Sequence, residues 1–292
     1  MSVPHYGDFG KPTNDLLSKD FPIGQFKLDV KSTATDGKVQ FNVLGHQDIK
    51  TGSIFGELKT KFTDKPNGLV LTQGWTTANA LTTKVEITDR VTQGVKLELN
   101  GSLLPTSGNK SGRFGLEYKQ PGVHARSVVD LLKGPTVVSD VVVGRDGYLV
   151  GAEIGYDATD GRITRYNTCA GMYGKDYLMT MHMLGSMSVF QVGFHHRAAP
   201  GAEVAAKALW DTRNAANQEK GHSSIVSLEL GTKFTLDNNA FLKAKIDNSG
   251  KVTLGYTQVM RPGFKVSLGG QFVTNKLGEN VHKVGMSFVV EN

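Results

Sequence analysis

The chain has 292 residues, 35 of them glycine and 9 proline, one cysteine and a formal net charge of +6. No apolar run approaches the roughly 18 residues of a membrane helix, which excludes a helical membrane protein, and the lone Cys169 excludes an intramolecular disulfide framework. The charge is spread without a Lys or Arg block, so it suits a field acting on small anions rather than a nucleic-acid footprint.

Residues 1–24 form the one segment that does not alternate like a strand. Tyr6, Phe9, Thr13 and Leu16 recur at helical spacing, and Asp8, Lys11, Asp15 and Lys19 take the opposite side. This predicts a short amphipathic helix. Pro12 removes a backbone donor, which predicts a break near Lys11, and Pro22 and Gly24 end the segment. The opening residues lack the basic, apolar, small-residue order of a secretory leader, so neither secretion nor a bacterial outer membrane is expected.

From Gln25 onward the pattern is period-2 alternation. Phe26, Leu28 and Val30 oppose Lys27, Asp29 and Lys31; after Thr35-Asp36-Gly37, a hairpin signal, Val39, Phe41 and Val43 oppose Lys38, Gln40 and Asn42. Ile54, Leu58 and Phe62 oppose Glu57, Lys59 and Lys61, and Leu69, Leu71, Gln73 and Trp75 share one face of the next run. Val85 and Ile87 then oppose Lys84 and Glu86, Val95, Leu97 and Leu99 oppose Lys96 and Glu98, and Phe114, Leu116 and Tyr118 oppose Arg113, Glu117 and Lys119. Twelve further runs follow, at 123–132, 136–143, 148–156, 163–171, 177–184, 189–196, 204–210, 225–232, 240–246, 252–258, 264–272 and 281–290, giving 19 strands.

A soluble β-sandwich divides into units of about 100 residues, and no such boundary is visible. A closed meander with one apolar face needs an outer cover, and lipid supplies it. The expected division is therefore a helical segment at 1–24 and an all-β transmembrane barrel at 25–292. An odd strand number requires the first and last strands to pair in parallel. Trp75, Tyr118, Tyr156, Tyr166, Tyr173 and Trp210 suit interfacial girdles.

No catalytic constellation emerges. Gly174-Lys175 lacks P-loop spacing, His195 and His196 point to opposite faces of one strand, and His182 and Cys169 have no metal-ligand spacing. A non-enzyme without metal or cofactor is expected.

The run Lys245-Ile-Asp-Asn-Ser-Gly-Lys-Val-Thr-Leu-Gly-Tyr-Thr-Gln258 with Arg261-Pro-Gly263 resembles the signature of the mitochondrial voltage-dependent anion channels, the eukaryotic porins. Val3-Pro4 with Tyr6, Asp8 and Gly10-Lys11, the strand Phe26 to Val30, and Trp75-Thr-Thr-Ala-Asn79 resemble the same family, so the likeness runs end to end. The family fold is a 19-stranded barrel holding a helix in its lumen, so the count of 19 strands rests on the resemblance as well as on the alternation. The order Lys283, Gly285, Phe288, Val290 resembles the sorting signal of mitochondrial outer-membrane barrels. Pro12 and Gln73 together suggest a fungal-type member.

The resemblance implies a voltage-gated, weakly anion-selective channel of the mitochondrial outer membrane, passing ions and metabolites such as ATP and ADP. Lys11, Asp15, Lys19, Lys27, Lys59, Lys61, Lys84 and Lys96 are the expected pore and selectivity residues, with Lys19 and Lys61 first. In a lumen wider than a Debye length of roughly 8 to 10 Å, such charges bias ions without filtering them strictly. The family's nucleotide-interacting stretch falls on Asp247, Ser249 and Thr253, where Asp247 places a carboxylate at a common asparagine position. Gln73 stands where many animal members carry a lipid-facing glutamate, and an amide cannot titrate. Asp20-Phe-Pro-Ile-Gly24 replaces a glycine-rich hinge, and its proline restricts helix excursions. Expected partners are membrane lipid, small anions, a further copy of the chain and the outer-membrane assembly machinery. Two other readings stay open: the protein-import pore of the same barrel superfamily, and a soluble all-β binding protein.

Overall fold

A computed structural model describes residues 3–90, 92–132, 134–213 and 226–292. Among them, nineteen strands form one sheet. The first ten are β1 (Gln25–Thr33), β2 (Val39–Asp48), β3 (Ile54–Asp64), β4 (Leu69–Thr76), β5 (Leu81–Thr88), β6 (Val95–Leu104), β7 (Asn109–Gln120), β8 (Val123–Asp130), β9 (Thr136–Arg145) and β10 (Tyr148–Asp157). The rest are β11 (Arg162–Tyr173), β12 (Tyr177–Leu184), β13 (Val189–Ala199), β14 (Ala202–Asp211), β15 (Val226–Asp237), β16 (Ala240–Asp247), β17 (Lys251–Arg261), β18 (Phe264–Val273) and β19 (Lys283–Glu291). Ile225, the expected start of β15, lies outside the described residues. The last strand begins two residues later than expected, because His282 leaves the ladder and its Nδ1 accepts the Val273 amide at 3.3 Å.

Each strand pairs antiparallel with its neighbours except at closure, where β1 runs parallel to β19 with Leu28 opposite Phe288 and Val30 opposite Val290. The closed ladder leaves no edge to pair elsewhere. One face carries exposed large hydrophobics, among them Phe26, Leu28, Leu58, Trp75, Leu99, Val150, Phe194 and Leu254. Apolar area on that scale requires an apolar surround. No described helix is long and apolar enough to cross a membrane, so crossing falls to the strands.

The segment 1–24 is not one helix. A 3₁₀ turn, Tyr6–Asp8, precedes α1 (Lys11–Ser18), and the rest of the described segment is not helical. The break comes at Gly10, whose φ of 75° no helix accommodates, and Pro12 lies in the first turn of α1, where its missing N–H is an orphan anyway. The proline therefore starts the helix instead of interrupting it.

The segment runs along the charged face of the sheet, which places it inside the barrel. Val3, Tyr6 and Phe9 pack with Val142 of β9, Leu149 of β10 and Cys169 of β11, and Leu16 and Leu17 pack on Ala205 of β14. Burial of side chains of this size is worth about 1.5–3 kcal/mol each relative to exposure. The wall is shaped to receive them: a Cβ at Gly171 would stand 2.8 Å from the Phe9 ring, and one at Gly231 would stand 2.6 Å from Leu17. Tyr173 joins this packing, its ring 6.1 Å from that of Phe9 and its hydroxyl accepting the Gly10 amide at 3.4 Å. It is thus an inner-wall anchor and not a girdle residue, whereas Trp75, Tyr156, Tyr166 and Trp210 are exposed.

Candidate functional site

Strand periodicity sends Lys27, Lys59, Lys61, Lys84 and Lys96 into the lumen, and burial of the opposite side of α1 leaves Lys11, Asp15 and Lys19 facing it. Their surroundings differ sharply. Lys84 stands 3.2 Å from Glu86 and 3.3 Å from Glu98, and Lys96 stands 2.5 Å from Glu86, 3.9 Å from Glu98 and 4.0 Å from Glu117. Lys59 pairs with Glu57 at 2.8 Å, Lys19 with Asp15 at 2.7 Å and Lys11 with Asp8 at 3.0 Å. Lys27 and Lys61 make no ion pair among the described residues. A locally paired lysine presents a dipole to a passing ion, and an unpaired one presents a full charge. On the wall of β5 to β7 the fields of Lys84 and Lys96 are therefore largely cancelled by Glu86, Glu98 and Glu117, while Lys119 of β7, like Lys27 and Lys61, makes no ion pair among the described residues.

The N-terminal segment is held at both ends by polar contacts. At its start, His5 Nε2 stands 3.6 Å from Asp140 and 3.4 Å from Arg126 Nη1, and the His5 and His124 rings meet edge to face at 5.5 Å. His124 in turn hydrogen-bonds Glu117 at 2.8 Å. At its end, Lys243 of β16 donates to the carbonyls of Asp15 at 3.0 Å and Lys19 at 2.9 Å. Asp20 stands 3.7 Å from Lys243 and 2.8 Å from Lys265. Sequence reading missed both ends. The available signal was Lys243-Ala-Lys245, two cations two residues apart and hence on one face of a strand.

Burial works to raise the Asp20 carboxyl, but the Lys265 hydrogen bond and the Lys243 charge outweigh it and hold the group below the ordinary carboxylate range. A depressed value stabilises the docked state above the free-carboxyl range and is lost as pH falls through the docked value. Amide exchange of α1 in detergent is therefore expected to be insensitive to pH, after correction for intrinsic rates, from neutrality to about 5, and to accelerate below about 4. Equal protection on both sides of that window would exclude a contribution from Asp20.

The other expected positions are not brought together. Asp247 Oδ1 accepts from the Ser249 amide at 2.9 Å, the Ser249 hydroxyl at 2.6 Å and the Lys251 amide at 3.0 Å, so both residues shape the β16–β17 turn. Thr253 lies in β17 and is 1 % exposed. Gln73 points outward between Thr60 and Thr83 on neighbouring strands. In β19, Lys283 and Gly285 face the lumen side, while Phe288 faces out against Phe26, with ring centroids 5.6 Å apart, and Val290 shares its face. His195 turns inward to Glu203 at 3.1 Å, and His196 turns outward, stacking on Phe194 at 6.2 Å.

A lipid-wrapped barrel with a charged bore narrowed by its own N-terminus can conduct solutes. Comparison with known proteins agrees. A family model described as eukaryotic porin matches residues 2–285. The chain is 40% identical over 288 residues to a mitochondrial outer membrane protein porin of Candida albicans, covering 98% of each chain. It is 38% identical to the non-selective voltage-gated ion channel 1 of Saccharomyces cerevisiae, again covering 98% of each. It is 32% identical to the voltage-dependent anion-selective channel of Drosophila melanogaster, covering all of both.

Proposed function

The chain belongs to the eukaryotic porin family, and on that premise we propose that it is a voltage-gated channel of the mitochondrial outer membrane with weak anion preference. The observation that carries this reading is the closed barrel itself, apolar outside and charged inside, with an ordered segment lying along its bore. Ions and small metabolites, ATP and ADP among them, cross through water beside α1. Lysines that lack a carboxylate partner, Lys27 and Lys61, bias the bore toward anions, and Lys19 contributes less, because Asp15 stands 2.7 Å from it. Lys11 and Asp15 act from the same helix face, while Lys59, Lys84 and Lys96 act weakly because carboxylates cancel their fields. The chemistry is passage without turnover.

Nucleotide contact at Asp247, Ser249 and Thr253 is the least supported of these roles, since Asp247 offers a carboxylate and Thr253 is covered. The outer surface meets lipid, Gln73 included, and no titrating group stands at that position. Lys283, Gly285, Phe288 and Val290 address the chain to the outer-membrane assembly machinery, and the exposed apolar wall accommodates a second copy.

Reconstitution in a planar bilayer across a potassium chloride gradient tests the reading. A large open state, a reversal potential on the chloride side and closure at both polarities are expected. Lys61→Glu is expected to move the reversal potential toward the cation side by more than Lys96→Glu does, because only Lys61 is unpaired. The reverse order would remove the pairing argument, and absence of insertion would remove the channel.

A further inference from the structure

Among the described residues, the most buried lysine of the lumen is one that no solute can readily meet. Lys243 is 3 % exposed, yet its ammonium contacts nothing that belongs to the conduction path. Its hydrogen bonds go to the carbonyl of Lys19 at the C-terminal end of α1 and, as a second donor beside the Lys19 amide, to the carbonyl of Asp15, and its ion pair goes to Asp20 immediately beyond. A helix C-terminus exposes unpaired carbonyls and the negative end of its dipole, so a cation there is doubly favoured. α1 has no basic residue in its own last turn to do this. The barrel wall supplies one from a residue more than 220 positions away in sequence.

Other contacts make the corner rigid. The Phe21 ring lies 5.4 Å from the Lys243 ammonium and 5.5 Å from that of Lys245. Asp20 adopts a left-handed φ of 62° and is also held by Lys265 of β18 at 2.8 Å. A residue with positive φ that is not glycine persists where its surroundings over-determine it. The chain thus leaves α1 through a turn clamped by two neighbouring lysines.

We propose that Lys243 is a positioning residue of the gate: by capping the C-terminus of α1 from β16 it fixes the helix on the wall and thereby sets how readily the channel leaves its open state. The effect on gating rests on the channel reading above, whereas the effect on helix docking does not. Lys243 acts through α1 and makes no claim on the permeating ion.

The test is Lys243→Gln in full-length protein refolded in detergent, with two readouts. Amide exchange of residues 11–18 is expected to rise about tenfold, since the Lys19 carbonyl loses its donor and the Asp15 carbonyl keeps only the Lys19 amide, and at a fixed voltage the closed-to-open ratio is expected to rise by a similar factor. A disulfide between Leu16→Cys and Ala205→Cys, made in a Cys169→Ser background, is expected to restore both in the Lys243→Gln protein. Unchanged exchange overturns the proposal. So does altered gating that the cross-link fails to rescue, because Lys243 would then act as a pore charge. If Lys243→Gln does not refold, Asp20→Asn, which leaves β16 intact, is read instead, with about threefold faster exchange expected and unchanged exchange again decisive against it. A wild-type protein that never closes under voltage would remove the channel reading, while the exchange experiment would still decide the docking role.

Discussion

Replacing Phe9 by alanine is expected to release the first half of the N-terminal segment from the barrel wall. Phe9 is 2 % exposed and its ring sits edge-on to Tyr173 at 6.1 Å and to His182 at 5.4 Å, over the bare backbone of Gly171. Truncating a buried phenylalanine costs about 3–5 kcal/mol, part lost transfer energy and part cavity. The cavity cannot be filled from the wall, because Gly171 has no side chain and the ladder fixes its backbone. Since the barrel closes without the segment, the loss falls on docking. With a factor of ten for every 1.4 kcal/mol, exchange of the amides at positions 8, 9 and 10, bonded to His5, Tyr6 and Tyr173, should rise by at least about a hundredfold, and open-channel current should become noisy as the segment moves in the bore. Lys11→Gln, on the opposite and solvated side, is the control and should change exchange by less than about threefold, the worth of an exposed ion pair. Equal exchange in Phe9→Ala and wild type would mean that the hydrophobic contacts do not hold the segment.

The second large effect is expected at Gly285. A Cβ there would overlap the carbonyl oxygen of Pro22 and lie 2.5 Å from that of Gln25 and 3.0 Å from its amide nitrogen. These are backbone atoms at the entry to β1, next to the parallel seam that closes the barrel, so no side chain can swing aside. Overpacking of this kind costs about 1–3 kcal/mol, and more where backbone must move. Gly285→Ala is expected to lower the denaturant midpoint of the detergent-refolded barrel, whereas Gly278→Ala, with open space around it, is expected to leave it unchanged. Refolding without any assembly machinery separates packing from sorting. Wild-type stability of Gly285→Ala in that assay would assign the glycine to recognition alone.

Period-2 alternation gave the strands, because each is half-buried and its two faces differ in chemistry whatever the neighbours are. Helical spacing likewise gave the buried face of the N-terminal segment: Tyr6, Phe9, Thr13 and Leu16 are all covered. The same reasoning misjudged Pro12, since a helix beginning at Lys11 makes that proline harmless, and only the chain path through Gly10 decides where the helix begins. Tyr173 was misread for a related cause. An aromatic at a strand end looks the same from sequence whether its face meets lipid or a docked segment.

The amino-acid sequence by itself determined the alternating strands and their apolar and charged faces through local periodicity, and the family, with its strand count and parity, through motif. Tertiary structure alone decided which lumen lysines are free and which are cancelled. Lys96 and Glu86 are adjacent only through the register of two strands, and Lys243 meets Asp15, Lys19 and Asp20 only because the barrel closes around its own N-terminus. Charge cancellation depends on separations of a few ångströms, and contacts between residues more than 220 positions apart leave no periodic trace along the chain.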